Sequence, residues 1–306
     1  VEVPDSVLPP IEAYRYYPSP EVCYNGTGEN LVRFVFYRTQ FTAYELQQLS
    51  QFKAELPGLL AKQPYDPLPD QEYLRLLLSY KFDFRKAAQG LVAMQTYRNT
   101  YMPEGYISLY SRVSPLLQSG AFYVHGRDHR FRPMLIVNLG RFDLKRYSID
   151  DYCFLICFTL DYVYSNMMLP GQIENWIVIT DLCNLGITEI PKSEFKQICK
   201  VLQDNFRCRM LTNYVINSPR MVDWGWKVAK AFINAHTVNK IRIRRGVPTD
   251  EMRAHINPGQ VEAKYGGTAP DVVRFWPPTV PPGPYHCPGE TLESFLSDSP
   301  PDYVTD

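Results

Sequence analysis

Residues 213–232 read NYVINSPRMVDWGWKVAKAF, and two patterns meet in them. Tyr214, Val215 and Ile216 form a short apolar run that Pro219 ends, the mark of a buried strand. The residues behind the proline are helical in spacing, but their apolar members do not form one stripe. Met221, Val222, Trp224, Trp226, Val228 and Phe232 spread around most of the circumference. A helix that is apolar nearly all round is normally buried on every side. An ordinary strand–helix crossover has no need of one.

Outward from this stretch the same alternation repeats. MLIVNL (134–139), WIVITDL (176–182), NYVINS (213–218) and KIRIR (240–244) read as strands, and Ser148–Met168, Ser193–Asn205 and Pro219–Ile233 as helices. Strands alternating with helices of this length imply parallel βαβ units with right-handed crossovers, an α/β fold. Further upstream, Thr42-Ala43-Tyr44-Glu45 is a capping box opening a helix, Asp70 is placed to cap QEYLRLLLSYKF, and Arg85–Arg98 is a third amphipathic helix. These divide the chain into an N-terminal extension (1–41) with a strand-like alternation at Leu31–Tyr37, a helical subdomain (42–110), a sheet domain (111–267) and a tail (268–306). The tail carries PPTVPPGP and SPPDY, so it is not helical and reads as disordered or extended.

The composition narrows function by exclusion. With 32 basic and 32 acidic residues among 306, no global field draws in nucleic acid. The seven cysteines are odd in number and set mostly in apolar runs, which reads as free thiols in a reducing, cytoplasmic compartment. Cys153 and Cys157 lie one turn apart with no histidines at zinc spacing, so no metal is expected there. HGRDHRFRP (125–133) reads as a polar turn between strands. No phosphate loop, dinucleotide loop, serine elbow or zinc-protease motif is present. The window DYCFLICFTLDYVYSNMML is broken by Asp161 too early to span a bilayer. In KIRIR, alternation places Lys240, Arg242 and Arg244 on one strand face. That face suits a phosphate, or an edge strand kept soluble by cations.

The order of YLRLLLSYKFDFRKA (73–87), FRPMLIVNLGRFD (131–143), WIVITDLCNLG (176–186), LQDNFRCRMLTNYVINSP (202–219), AHTVNKIRI (235–243) and KYGG (264–267) resembles the CRAL-TRIO lipid-transfer family, in particular its phosphatidylinositol-transfer branch. The resemblance implies a helical subdomain followed by a parallel-sheet pocket that holds one phospholipid, closed by a gate helix after the Asn-x-Pro strand. It implies no catalysis and no cofactor, with the bound phospholipid as cargo. The gate or pocket residues would be Met221, Val222, Trp224, Trp226, Val228 and Phe232. At about 0.8 kcal/mol per buried methylene, two acyl chains with roughly 30 methylenes cost on the order of 25 kcal/mol if wetted. A carrier must hide them and open only at a membrane.

Lys240 and Thr237 match the family's headgroup positions, with Arg242 beside them. The pattern departs elsewhere: Cys208 stands where a Glu bonds the inositol ring, Tyr80 where an Arg is usual, and Trp176 and Val178 where Ser and Thr accompany phosphatidylcholine binding. Trp176 either shortens the pocket or is a core aromatic. The expected partners are a phospholipid and, transiently, a membrane surface, for a peripheral monomer. The alternatives are a lipid-regulated scaffold whose Pro300-Pro301-Asp302-Tyr303 recruits a WW domain, a carrier of a sterol-like or isoprenoid ligand, and a hydrolase using Cys208 or His236.

Overall fold

The computed structural model describes residues 1–28, 31–61, 63–184, 192–219, 226, 229–233 and 235–301. Met221, Val222, Trp224, Val228, Asp302 and Tyr303 lie outside them. Strands β1 (Tyr24–Asn25) and β2 (Val32–Arg33) pair in the N-terminal extension. Helices α1 (Ala43–Leu59), α2 (Asp70–Ser79) and α3 (Phe84–Tyr101) follow. Thr42 caps α1 in a reciprocal capping box with Glu45. At α2 the cap position falls on Pro69, and Asp70 is the first helical residue, where its charge favours the helix dipole. The three helices close on their own apolar cluster, centred on Leu49, Phe52, Leu56, Tyr73, Leu77 and Leu91.

The main sheet contains β3 (Phe122–Arg127), β4 (Pro133–Asn138), β5 (Trp176–Asp181), β6 (Met210–Ile216) and β7 (Ile241–Ile243) in sequential order. β3 and β4 form an antiparallel hairpin and the remaining pairs are parallel. Right-handed crossovers through strands in this order place the connecting helices on one face. These are α5 (Ile149–Met167), α6 (Lys192–Asn205) and α7 (Ala235–Val238), with α4 (Tyr110–Val113) preceding the sheet. The opposite face is covered by α8 (Thr249–Arg253) and the segment behind it, through Met252, Ile256, Val261, Tyr265 and Phe275. The KYGG turn is built there: Gly266 has φ 80°, and a Cβ on Gly267 would meet the Val261 carbonyl oxygen at 1.9 Å.

Asp161, in the most apolar helix, is buried and accepts hydrogen bonds from Arg98 and from the Tyr106 amide, at 2.5 and 2.8 Å. It therefore joins α5 to α3. Among the described residues no helix is long and apolar enough to cross a membrane.

One expectation needs correction and another is narrowed. The 125–133 segment is a turn only in its middle, since His125–Arg127 belong to β3 and Pro133 to β4, and it is buried at its base: the Arg127 guanidinium donates to the carbonyls of Phe131, Met167 and Val7, and Asp128 accepts from the Arg130 and Arg132 amides. The tail is extended and packed, not loose. Trp276 packs edge-on against Phe158 and Tyr162, Val280 joins the main core, and Leu296 bridges to Tyr16 of the N-terminal extension. A proline-rich segment has little conformational entropy to lose, so a few aromatic anchors suffice to hold it.

The helical subdomain, the extension and the sheet are joined by a buried charge network. Arg75 of α2 pairs with Glu174, in the loop before β5, and with Glu72 at 2.5 Å. Arg209, just before β6, pairs with the same two carboxylates at 3.0 and 2.6 Å. Glu174 also accepts from the amides of Tyr37 and Gly171.

Candidate functional site

Side chains on the helix-bearing face of the sheet do not close on one another. Between them and α5 and α6 lies a cavity of about 980 Å³, at the upper end of the roughly 300–1,000 Å³ common for small-molecule sites. The period-two geometry of the strands decides which residues reach it. Trp176, Val178 and Thr180 of β5 line the cavity, while Ile177 and Ile179 pack on the far side. Ile241 and Ile243 of β7 also line it. In β6 a register shift opposite Trp176 lets both Met210 and Asn213 line the cavity although they are three apart. The roof is Ile156 and Leu160 of α5 with Phe195, Ile198 and Leu202 of α6.

One end is polar. Lys240, Thr237 and His236 meet Ser79 and Tyr80 from the α2–α3 corner and Cys208 from the turn before β6. Cys208 has φ 57°, a conformation that costs a non-glycine residue. Its sulfur lies 3.7 Å from both the Ser79 hydroxyl and the Arg75 carbonyl oxygen. Most cations at this end are already engaged. Arg33 pairs with Glu45 at 3.0 Å, and Arg207 donates to the Tyr80 hydroxyl at 3.2 Å.

Lys240 differs. It is 5% exposed, and among the described residues it has neither a carboxylate partner nor a hydrogen bond from its ammonium. Its nitrogen sits 4.8 Å from the centre of the Phe34 ring. A cation–π contact supplies about 0.5–2 kcal/mol, less than the several kcal/mol that burying an ammonium costs. Burial accordingly pulls the Lys240 pKa down. His236 is also held below its ordinary value, by burial and then by the Lys240 and Lys81 charges. Among the described residues no acid compensates the Lys240 charge itself.

Lys240, Thr237, Trp176, Val178, Cys208 and Trp226 all line the cavity. Arg242 does not. It faces the other way, pairing with Glu251 of α8 at 2.6 Å, and Arg244 joins the same carboxylate. The expected shared face for Lys240 and Arg242 fails because Lys240 precedes β7, in the turn after α7, where strand alternation has not begun. Phe232 is half-buried against Lys192 and is not a lining residue. In its segment Trp226, Ala229 and Ile233 reach the cavity, and the Phe232 carbonyl accepts from Gln203 of α6 at 2.8 Å. Trp176 lies edge-on to Phe206 and is buried, so it is both a core aromatic and a cavity wall.

Two lining residues carried no signal beyond their type. The Thr180 hydroxyl donates to the Asn213 side-chain oxygen at 2.9 Å, giving a polar step on the cavity floor. Polar residues at cavity-facing positions of apolar strands were the available clue.

A large, mainly apolar cavity on one face of a mostly parallel sheet, with the buried Lys240 ammonium at its polar end, is the geometry that the family match explains. The CRAL/TRIO domain family matches residues 117–267. Those residues are a CRAL/TRIO domain. The Sec14 cytosolic factor of Schizosaccharomyces pombe is 26% identical over 214 residues, covering 65% of this chain and 75% of that protein. The phosphatidylinositol/phosphatidylcholine transfer protein SFH4 of Arabidopsis thaliana is 23% identical over 245 residues, covering 74% of this chain and 40% of that protein. The crystal structure of Sfh5 superposes with a TM-score of 0.56 at 14% identity, over 86% of this chain and 96% of that one, a likeness of fold. The CRAL/TRIO domain includes β3 to β7 and most of the cavity wall. Ser79, Tyr80 and Arg33 of the polar end come from outside it.

Proposed function

We propose that this protein binds one anionic phospholipid, phosphatidylinositol first among them, in the CRAL/TRIO cavity and carries it between membranes without covalent chemistry. The observation that supports this reading is the buried Lys240 ammonium at the polar end of an otherwise apolar cavity. A phosphate placed there compensates the charge, and acyl chains fill the apolar length. The cavity then needs cargo and no cofactor. The relative named as a phosphatidylinositol/phosphatidylcholine transfer protein supports the same class of ligand. Trp226, Ala229 and Ile233 belong to the segment that would open at a membrane surface, which is where the protein would be peripherally engaged.

The test is mass spectrometry of the lipid extracted from natively purified protein. One phospholipid class at near-stoichiometric amount is the expected result, with phosphatidylinositol as the leading candidate. A sterol-like or isoprenoid lipid, or no lipid after incubation with mixed vesicles, overturns the proposal. The last outcome favours the scaffold reading through residues 300–303.

A further inference from the structure

We infer that His129, Cys287 and Glu290 form a binding site for one zinc ion, which clasps the proline-rich tail onto the β3–β4 hairpin. Their donor atoms all lie within 4.8 Å of one another. Donors held about 2.0–2.3 Å from one tetrahedral zinc lie roughly 3.3–3.8 Å apart, so side-chain movements of about an ångström complete the set. The Nδ1 atom of His129 is already 2.9 and 3.1 Å from the two Glu290 oxygens. None of the three residues lines the cargo cavity, so the site is separate from the lipid chemistry.

The backbone holds the donors in place on both sides. Cys287-Pro288-Gly289-Glu290 is a tight turn in which the Glu290 amide donates to the Cys287 carbonyl at 3.0 Å. The Cys287 amide donates back to Glu290 Oε2 at 2.9 Å, and Gly289 has φ 91°. Two ligands therefore converge from one turn, at the two-residue spacing that zinc turns favour. His129 is set in the hairpin turn by its own amide, which donates to the His255 carbonyl at 2.9 Å, and its ring lies edge-on to His255. Asp128 beside it is taken by Arg132, at 3.1 Å, and competes for no metal.

The donor types suit zinc over the hard cations, because a thiolate and an imidazole are poor ligands for calcium or magnesium. A thiolate, a carboxylate and a neutral imidazole bring two negative charges, which the ion's two positive charges cancel. That neutrality fits a site whose cysteine is buried. The His129 and Glu290 side chains are 12% and 29% exposed, leaving the fourth position toward solvent.

The test uses the full chain, stripped with a chelator and titrated with cobalt(II), a coloured substitute for zinc. One equivalent should produce a thiolate-to-cobalt charge-transfer band that added zinc removes, and zinc should raise the melting temperature. Cys287→Ser should abolish the band, while Cys183→Ser, at an exposed cysteine, should leave it intact. His129→Gln should weaken binding by more than the roughly 10–100-fold that loss of an outer-shell partner costs. If Cys287→Ser does not fold, Glu290→Gln keeps the thiol and the ring and should still weaken binding at least about tenfold. No band on the intact chain, a band that survives Cys287→Ser, or unchanged affinity in Glu290→Gln overturns the site.

Discussion

Two buried sites of charge adjoin α2, and they are built on opposite rules. Around Glu174 every charge has a counter-charge: Arg75 and Arg209 each contact both Glu72 and Glu174. At the polar end of the cavity Lys240 has none among the described residues, only an aromatic face. A compensated network fixes how segments sit against one another. A cation left uncompensated inside a cavity weakens the empty fold and rewards an anion that enters. The contrast separates residues that hold the architecture from the one proposed to select cargo.

The largest expected effect comes from breaking the compensated cluster. Glu174→Gln leaves two buried guanidiniums sharing one carboxylate and should cost about 3–5 kcal/mol in urea unfolding. The pH dependence follows the same logic. Burial raises the Glu72 and Glu174 carboxyls, but the Arg75 and Arg209 charges outweigh it and hold both below their ordinary values. The unfolded chain therefore binds protons first, and the stability these groups contribute is lost as pH falls below about 4.3 through their lowered values. Glu174→Gln should flatten that acid limb. An unchanged limb would show that the network does little for folding.

Lys240→Met tests the other cluster and should have nearly the reverse profile. Stability of the lipid-free protein should be unchanged or higher, because a buried charge is replaced by an apolar chain of similar length. Affinity for anionic phospholipid should fall by about 30-fold or more, the equivalent of roughly 2 kcal/mol for a buried charge contact. Lys240 titrates below its ordinary value in the fold, so the unfolded chain binds the extra proton. Lipid-free wild type should thus gain stability as pH rises toward about 10.4, and Lys240→Met should not. Lower stability in Lys240→Met, with cargo affinity kept, would put Lys240 in the structural class. A smaller effect is expected from Trp226→Glu, which places a charge on the cavity-facing side of its segment. It should slow transfer from vesicles several-fold while leaving unfolding in solution mostly intact.

What the sequence revealed follows the range of the interactions involved. Thr42 and Ser148 were legible as caps because each bonds a residue three positions away. β4, β5 and β6 were legible as apolar runs. β3 was not, because His125 and Arg127 look like surface residues until Arg127 finds carbonyls from residues 7, 131 and 167. The Glu72–Arg75–Glu174–Arg209 network spans three separated segments, and no periodicity announces it. Proline content in the tail marked the absence of helix. It was silent about Trp276 and Val280, whose burial depends on the core they meet. Strand alternation placed Ile241 and Ile243 together, but carried one residue too far it also joined Lys240 to Arg242.

That last point yields the smallest expected effect and the sharpest control. Arg242 is two residues from Lys240 and carries the same charge, so any long-range electrostatic account of lipid binding treats the pair alike. The structure does not. The Arg242 side chain is 38% exposed and pairs with Glu251, which Arg244 also reaches, on the sheet face away from the cavity. A partly exposed pair of this kind is worth about 0–1 kcal/mol, and Arg244 remains to hold Glu251. Arg242→Ala should therefore shift stability by less than about 1 kcal/mol and leave transfer of phosphatidylinositol unchanged. If it impaired transfer as much as Lys240→Met does, cargo selection would depend on the field of the whole basic strand. If only Lys240→Met did so, selection would rest on the buried Lys240 ammonium, which has no carboxylate partner among the described residues.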